Sequence, residues 1–339
     1  LQALGVGAGD EVIVPGLTWV ACATAVAAVN AHPVFVDIDA DNLCLCTQAL
    51  EDAITEHTRA VMVVHLYAGI ADLERLLEIT ARYDLPLIED CAQSHGAVWG
   101  GRRVGSWGRV GTFSMQQGKA LTCGEGGACI TDDAEIADCI YRLRSDARRL
   151  KCTGVQPGYM ELEESPGVFG QNFCLSEIHA AMLKARLKRL DDENSLRADN
   201  VAYLKTLLQQ LGGFIFQQSA PGSERTTVYH FPIGLTAAFC RGMSVDQVAQ
   251  AISAELGVWV HRTYPPLNRN PMYRPSASAR FSRFKRQFNQ WPLPNAEKVY
   301  AATVLFHHSL FLANREDMED IVAAFQRVQA HADRLRAVP

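Results

Sequence analysis

The sequence predicts an α/β protein: a mainly parallel central sheet with helices on both faces, joined to a smaller C-terminal α+β domain. Three observations lead there. Short apolar runs alternate with helical patterns from Glu11 to Leu143, and such alternation builds parallel sheets covered on both sides. After Gly212-Gly213 the alternation gives way to a looser mix of strands and helices. The 339 residues are 48% hydrophobic and 20% charged, which suits two ordinary domains with sizeable cores. The expected division is residues 1–205 and 206–339.

In order, Glu11 to Pro15 reads as a short buried strand, and Thr18 as the N-cap of an Ala- and Val-rich helix from Trp19 to about Val29. Pro33 to Asp37 is a second strand. Thr47 caps a helix through Ile54, and the β-branched run Arg59 to Tyr67 is a third strand. Asp72 opens a helix with Leu73, Leu76, Leu77 and Thr80 at helical spacing. Leu85 to Glu89, Val110 to Met115 and Gly127 to Thr131 are further strands. A helix capped within 131–133 carries Ile136, Ile140 and Leu143 as its apolar stripe.

Residues 151–172, rich in Gly, Pro and acidic side chains, read as a long irregular loop, a type that is usually functional or disordered. One long helix is expected from Leu175 past Leu190 toward Leu211, bridging the domains. Then come a strand Val228 to Leu235, a capped helix Ser244 to Leu256, a strand Val258 to Tyr264 and a proline-rich loop over 265–295. Two helices, Ala296 to His307 and Arg315 to Leu335, close the chain.

A net charge of −5 and a pI near 6.1 give no support for a nucleic-acid or anionic-membrane partner. The ten cysteines are scattered without a CxxC pair or zinc spacing, so reduced thiols in a cytoplasmic protein and no metal site are expected. The most apolar stretch, Trp19 to Val36, is interrupted by Asn30, His32 and Pro33 and does not read as a membrane span. No signal peptide is visible, and the chain is expected to begin inside a larger protein, since Leu1 to Gly5 resembles the end of a helix.

The chemistry gathers at residues 112–127. Lys119 is the one basic residue between Val110 and Tyr141, and it stands between a strand and Gly124, Gly126 and Gly127. Most lysines are solvated surface charges. A lysine held in a pocket by glycine-dependent backbone is instead desolvated, with a lowered pKa, and serves as an amine nucleophile. Upstream, Leu85 to Asp90 is an apolar strand ending in Glu89 and Asp90. Ligands of open α/β sheets sit beyond such strand ends, and a buried carboxylate there needs a cationic partner. A lysine bound to pyridoxal phosphate, with an Asp at the pyridine nitrogen, is one known solution.

Gly9 to Pro15 with Thr18-Trp19, Glu89 to Gln93, Gly111 to Ser114 with Lys119, and Gly124 to Gly127 resemble, in this order, the motifs of the DegT/DnrJ/EryC1/StrS aminotransferases. The resemblance continues through Gly170 to Glu177 to the C-terminus. It implies a fold type I pyridoxal-phosphate enzyme. Phe113 to Gln117, Met160 to Leu162, Tyr264 to Asn270 and Phe306 to Ser309 are most similar to the aminocyclitol branch of that family.

By resemblance, Lys119 is the Schiff-base lysine and proton shuttle, and Asp90 the partner of the pyridine nitrogen. Gln93 neighbours the ring or its O3′, Ser114 binds phosphate and Trp19 packs on the ring. Asn172 reaches the phosphate of a neighbouring subunit, which implies a homodimer with a shared site. Tyr264, Asn268, His307 and His308 are substrate-side candidates, although adjacent histidines on one helix point different ways and at most one is expected to reach the site. Without the resemblance, Trp19 reads as core, Ser114 as a turn residue and Asn172 as a helix cap. Two departures from the family stand out. Its Gly-Thr-Ser/Thr phosphate turn has no counterpart from Leu1 onward, and Gly118 stands where aminocyclitol enzymes carry a small hydroxyl residue.

The implied reaction is a ping-pong amino transfer, from L-glutamine to a keto-cyclitol of the scyllo-inosose type, in antibiotic or related metabolism. The rivals are a nucleotide-linked keto-sugar acceptor, an aminohydroxybenzoate-synthase-like dehydratase, and a non-catalytic fragment.

Overall fold

The computed structural model describes residues 1–151, 161–277 and 291–337. Six strands form the main sheet: β1 (Glu11–Pro15), β2 (His32–Val36), β3 (Thr58–Val64), β4 (Leu87–Asp90), β5 (Val110–Ser114) and β6 (Gly127–Ile130). Their order is β2-β1-β3-β4-β5-β6. Neighbours are parallel except β5 and β6, which run antiparallel. β1 to β4 are almost wholly buried, as expected of parallel strands covered on both faces.

The connecting helices are α1 (Ala21–Ala28), α2 (Thr47–Ala53), α3 (Leu73–Arg82) and α4 (Ala134–Arg144). Asp72 caps α3 by accepting from Arg75 N, and Asp133 caps α4 by accepting from Glu135 N and Ile136 N. These side chains satisfy amides that the first helical turn leaves unpaired. Thr18 does not cap α1. The helix starts two residues later than Trp19, after Val20, and Thr18 is buried beside Cys22 instead.

The segment expected to be one long helix is two: α5 (Glu177–Leu187) and α6 (Leu190–Leu211). Lys188 and Arg189 separate them without a Pro or Gly to signal the break. Part of the expected 151–172 loop is ordered as an antiparallel ladder of 148–150 with 162–164. Residues 152–160, including Met160 of the aminocyclitol-like stretch, lie outside the described residues, as do 278–290 of the proline-rich loop.

A second, antiparallel sheet has the order β7-β8-β10-β9, from β7 (Phe214–Phe216), β8 (His230–Leu235), β9 (His261–Arg262) and β10 (Thr303–His307). α7 (Val245–Leu256), α8 (Pro294–Ala302) and α9 (Arg315–Ala330) surround it. The helix expected over 296–307 stops at Ala302. Thr303 to His307 is strand, because this β-branched and aromatic run pairs with His230 to Gly234 of β8.

Two apolar cores result. The first surrounds β1 to β4 and includes Val14, Phe35, Val63 and Leu76; the second gathers Leu204, Phe231, Ile252 and Phe325. Alternate residues of β10 face opposite ways: Leu305 joins the first core, Val304 and Phe306 the second. β10 therefore lies at the junction of the cores, and it ends at His307.

Candidate active site

β4 and β5 end side by side, with Asp90 paired to Thr112. Beyond β5 the chain turns tightly. Gly118 N donates to Gln116 Oε1 at 2.7 Å, and Lys119 N donates to Gln116 O at 2.9 Å. Met115 N then reaches Gly126 O at 2.8 Å. Gly126 has φ 151°, and a Cβ there would lie 2.8 Å from Leu175 Cδ1, so this return requires glycine. Lys119 is thus fixed at the mouth of the sheet.

A cavity of about 530 Å³ opens there. Thr18, Trp19, Asp90, Gln93, Ser114 and Lys119 line it from the main sheet, and Tyr229, His230, Trp259, His261, Tyr264 and His307 from the second sheet and its flanks. Burial lowers the pKa of Lys119, and the charge of Asp90 opposes part of that shift. The ammonium lies 4.4 Å from the ring centre of Tyr229, a cation–π contact.

Asp90 accepts from Ala92 N through Oδ1 at 2.9 Å and from the Cys22 thiol through Oδ2 at 3.2 Å. Burial pushes the Cys22 thiol up, so it stays protonated and donates. Trp19 is 46% exposed on the cavity wall, edge-on to Tyr264 at 5.5 Å, and so is not simply core. Gln93 spends its carbonyl on Tyr67 N at 2.8 Å, and the Tyr264 hydroxyl lies beside the side chains of Gln93 and Tyr229. Burial pushes the Tyr264 phenol well up.

Of the residues singled out from sequence, the cavity gathers Trp19, Asp90, Gln93, Ser114, Lys119, Tyr264 and His307. Three lie elsewhere. Asn172 is exposed and accepts from Cys174 N at 3.2 Å. Asn268 donates to Trp291 O at 3.0 Å. His308 sits behind the wall with Nε2 3.1 Å from Gly118 O. The expectation for the two histidines fails in its premise, since His307 ends a strand and His308 opens a 3-10 turn. Their Nε2 atoms converge on the same Gly118 carbonyl.

Sequence reading missed Cys22, Tyr229, His230, Trp259 and His261. A cysteine in an Ala-rich helix reads as packing, and the others come from strands of the second sheet or the residues beside them, which only tertiary folding brings to the lysine. Burial pulls His230 down to about 2, and His261 and His307 are lowered as well, so the wall facing Lys119 is uncharged.

His65, Glu89 and Cys91 bring ligand-type atoms within 4.8 Å of one another, and Glu89 and His65 are already hydrogen-bonded there. Glu89 accepts from Gly105 N, Trp107 N and Gly108 N at 2.6–2.7 Å and pairs with His65 Nε2 at 3.1 Å. This cluster fastens the 105–108 loop to β4.

The cavity's donor set fits pyridoxal phosphate: a desolvated amine, a carboxylate whose Oδ2 meets a weak thiol donor, an indole face and a serine hydroxyl. Comparisons with known proteins agree. The profile of the DegT/DnrJ/EryC1/StrS aminotransferase family matches residues 1–326. The L-glutamine:2-deoxy-scyllo-inosose aminotransferase of Streptomyces kanamyceticus is 46% identical over 98% of this chain and 78% of its own length. The L-glutamine:scyllo-inosose aminotransferase of Streptomyces griseus is 46% identical over 97% of this chain and 78% of its own length. Among solved structures, an aminotransferase from Psychrobacter cryohalolentis superposes with a TM-score of 0.83 at 26% identity, covering 98% of this chain and 84% of that one. A 3-amino-5-hydroxybenzoic acid synthase gives 0.80 at 28% identity, covering 98% and 83%. With the profile spanning nearly the whole chain and the cavity supplying the lysine and the carboxylate, this protein belongs to the DegT/DnrJ/EryC1/StrS aminotransferase family and is a pyridoxal-phosphate-dependent aminotransferase of fold type I.

Proposed function

We propose that the protein transfers the amino group of L-glutamine to a keto-cyclitol of the scyllo-inosose type. The observation that carries this reading is the 46% identity, over nearly the whole chain, to relatives named for that donor and those acceptors. The neutral wall of Tyr229, His230, His261 and His307 across from Asp90 supports it, because a polyhydroxylated ring offers hydroxyls and no charge. The dehydratase alternative rests on 28% identity, and product analysis separates it and the nucleotide-linked keto-sugar reading from ours.

Pyridoxal phosphate, when bound, supplies an electron sink that stabilises negative charge on the carbon losing or gaining a proton. The chain's residues do the rest. Lys119 would be the residue that holds the cofactor, and its Nζ, set in the cavity wall, would be the group that accepts and returns the proton. Burial favours the neutral amine needed for that work. Asp90 would hold a proton on the pyridine nitrogen, and the Cys22 thiol donates to its carboxylate and keeps it oriented. Trp19 and Ser114, both on the cavity wall, would hold the ring and the phosphate. Tyr264, beside Gln93 and Tyr229, and His307 face the substrate.

We also assign residues 1–205 to a large cofactor-binding domain and 206–339 to a small one; the second core, drawn from Leu204 onward, supports this, while Leu267, Leu293 and Ala296 of the small domain pack into the first. The working form in this reading is a cytoplasmic homodimer in which Asn172 serves the other subunit's phosphate. An exposed apolar strip beside it, from Phe173 through Ile178 and Met182 to Leu187, supports a covered face.

The test is amino transfer from L-glutamine labelled with nitrogen-15 at the α-amine. Label in an aminocyclitol after incubation with scyllo-inosose supports the proposal. Label that enters only a nucleotide-linked sugar, or a ketone dehydrated without amination, contradicts it.

A further inference from the structure

Gly118 O receives two imidazoles. His307 Nε2 lies 3.3 Å away and His308 Nε2 3.1 Å. A carbonyl oxygen has two lone pairs, so both rings donate to it at once if each carries its proton on Nε2. Their other nitrogens agree with that tautomer. His307 Nδ1 lies 2.8 Å from Ser309 Oγ and accepts from Ser309 N at 3.4 Å. His308 Nδ1 is buried with no partner among the described residues, as an acceptor nitrogen can be and an N–H rarely is. Both rings are neutral: burial pulls His308 to about 3, helped by the nearby charges of Arg197 and Arg186, and lowers His307 as well.

The other side of the same peptide is also held. Gly118 N donates to Gln116 Oε1 and Lys119 N to Gln116 O. The backbone entering Lys119 is therefore gripped by its own loop on one side and by the end of β10 on the other. His308 is itself fixed, since its N donates to Tyr229 O at 3.1 Å and its ring stacks on Tyr229 with 28° between planes. The Tyr229 ring carries the Lys119 ammonium.

We propose that His307 and His308 are positioning residues. They form a two-imidazole brace from the second sheet to the Gly118 carbonyl, and this brace aims Lys119 Nζ at the cofactor's carbonyl carbon. The inference rests on the reading of Lys119 as the amine that holds the cofactor. It links the seating of the second sheet against the main one to the reactivity of the lysine, through one peptide group.

The test measures how fast the cofactor-free protein captures pyridoxal phosphate, followed by growth of its visible absorbance. The variants are His307→Leu, His308→Leu, the double Leu variant and His308→Gln, whose amide can reach the same carbonyl. Capture and kcat should fall about 10- to 100-fold in the double variant, the scale expected when a reacting group is misaligned. KM should change little in His308→Leu, which lies behind the wall, and should rise in variants carrying His307→Leu, whose ring lines the cavity; the thermal midpoint should fall only modestly. Each single variant keeps one donor and should lose less, and His308→Gln should recover most of the rate. A folded double variant that captures cofactor at the wild-type rate overturns the brace. If the double variant does not fold, wild-type rates in both single variants overturn it. Lys119→Ala runs alongside: capture in that variant overturns the reading of Lys119 and the brace with it, whereas capture lost there but unslowed in the Leu variants overturns the brace alone.

Discussion

The thiol of Cys22, on the first helix, donates to Oδ2 of Asp90 at the end of β4 across 3.2 Å. It is a neutral donor, because burial holds the thiol protonated, so it orients the carboxylate without cancelling its charge. Cys22→Ala should therefore fold, with a stability loss of about 1 kcal/mol, yet bind pyridoxal phosphate more weakly and show a shifted visible spectrum. Equilibrium titration of the cofactor-free variant checks this. Unchanged affinity together with an unchanged spectrum would remove Cys22 from the site.

Asp90→Asn keeps the size of the side chain but gives up the charge that we propose would hold a proton on the pyridine nitrogen. We expect kcat to drop by about 100-fold or more while the thermal midpoint moves little, since a preorganised charge at the reacting group is worth several kcal/mol. Single-turnover kinetics of the first half-reaction with L-glutamine measure it. Wild-type turnover would show that the ring's electronics do not depend on Asp90.

Glu89, the neighbour of Asp90 on the opposite face of β4, anchors structure rather than chemistry. It is fully buried and satisfies three backbone amides and His65. Glu89→Ala leaves these donors buried without an acceptor and should cost about 3–5 kcal/mol. Urea unfolding reads the loss, and a cost below about 1 kcal/mol would mean that water replaces the carboxylate.

Burial holds His95 at about 4, His308 at about 3 and His230 at about 2, against an ordinary 6.5. Between pH 6.5 and 4 the unfolded chain therefore binds more protons at these positions than the folded one. Stability should be insensitive to them above 6.5 and should fall below it, by about 1.4 kcal/mol per pH unit for each histidine. The urea midpoint should drop between about pH 7.5 and about pH 5, and less so in His95→Gln. Identical midpoints at the two pH values contradict neutral burial of these rings.

Much of this was readable in the sequence because it is local. Asp72 and Asp133 cap their helices as their spacing announces, and β1 to β3 are built on short apolar runs. Lys119 and Asp90 stood out because an isolated lysine among glycines and a carboxylate at a strand end are costly arrangements without a purpose. What was missed depends on tertiary contacts. Thr303 to His307 carries a helix-compatible pattern until β8 offers it a partner, and with that strand unseen the convergence of His307 and His308 on Gly118 was invisible too. Lys188 and Arg189 interrupt a helix with ordinary helix-forming residues, so no propensity argument finds the break. Trp259, 74% exposed and stacked on His261 at 4.0 Å, carries no sequence signal that separates it from a surface aromatic.

The most direct test of the central claim is the visible spectrum of the protein with pyridoxal phosphate, recorded alone, after L-glutamine, and again after scyllo-inosose, alongside Lys119→Ala. The account predicts an absorbance band in the wild-type protein that L-glutamine bleaches and scyllo-inosose restores, with no such band in Lys119→Ala. An identical band in Lys119→Ala, or a wild-type band that neither compound alters, would contradict it.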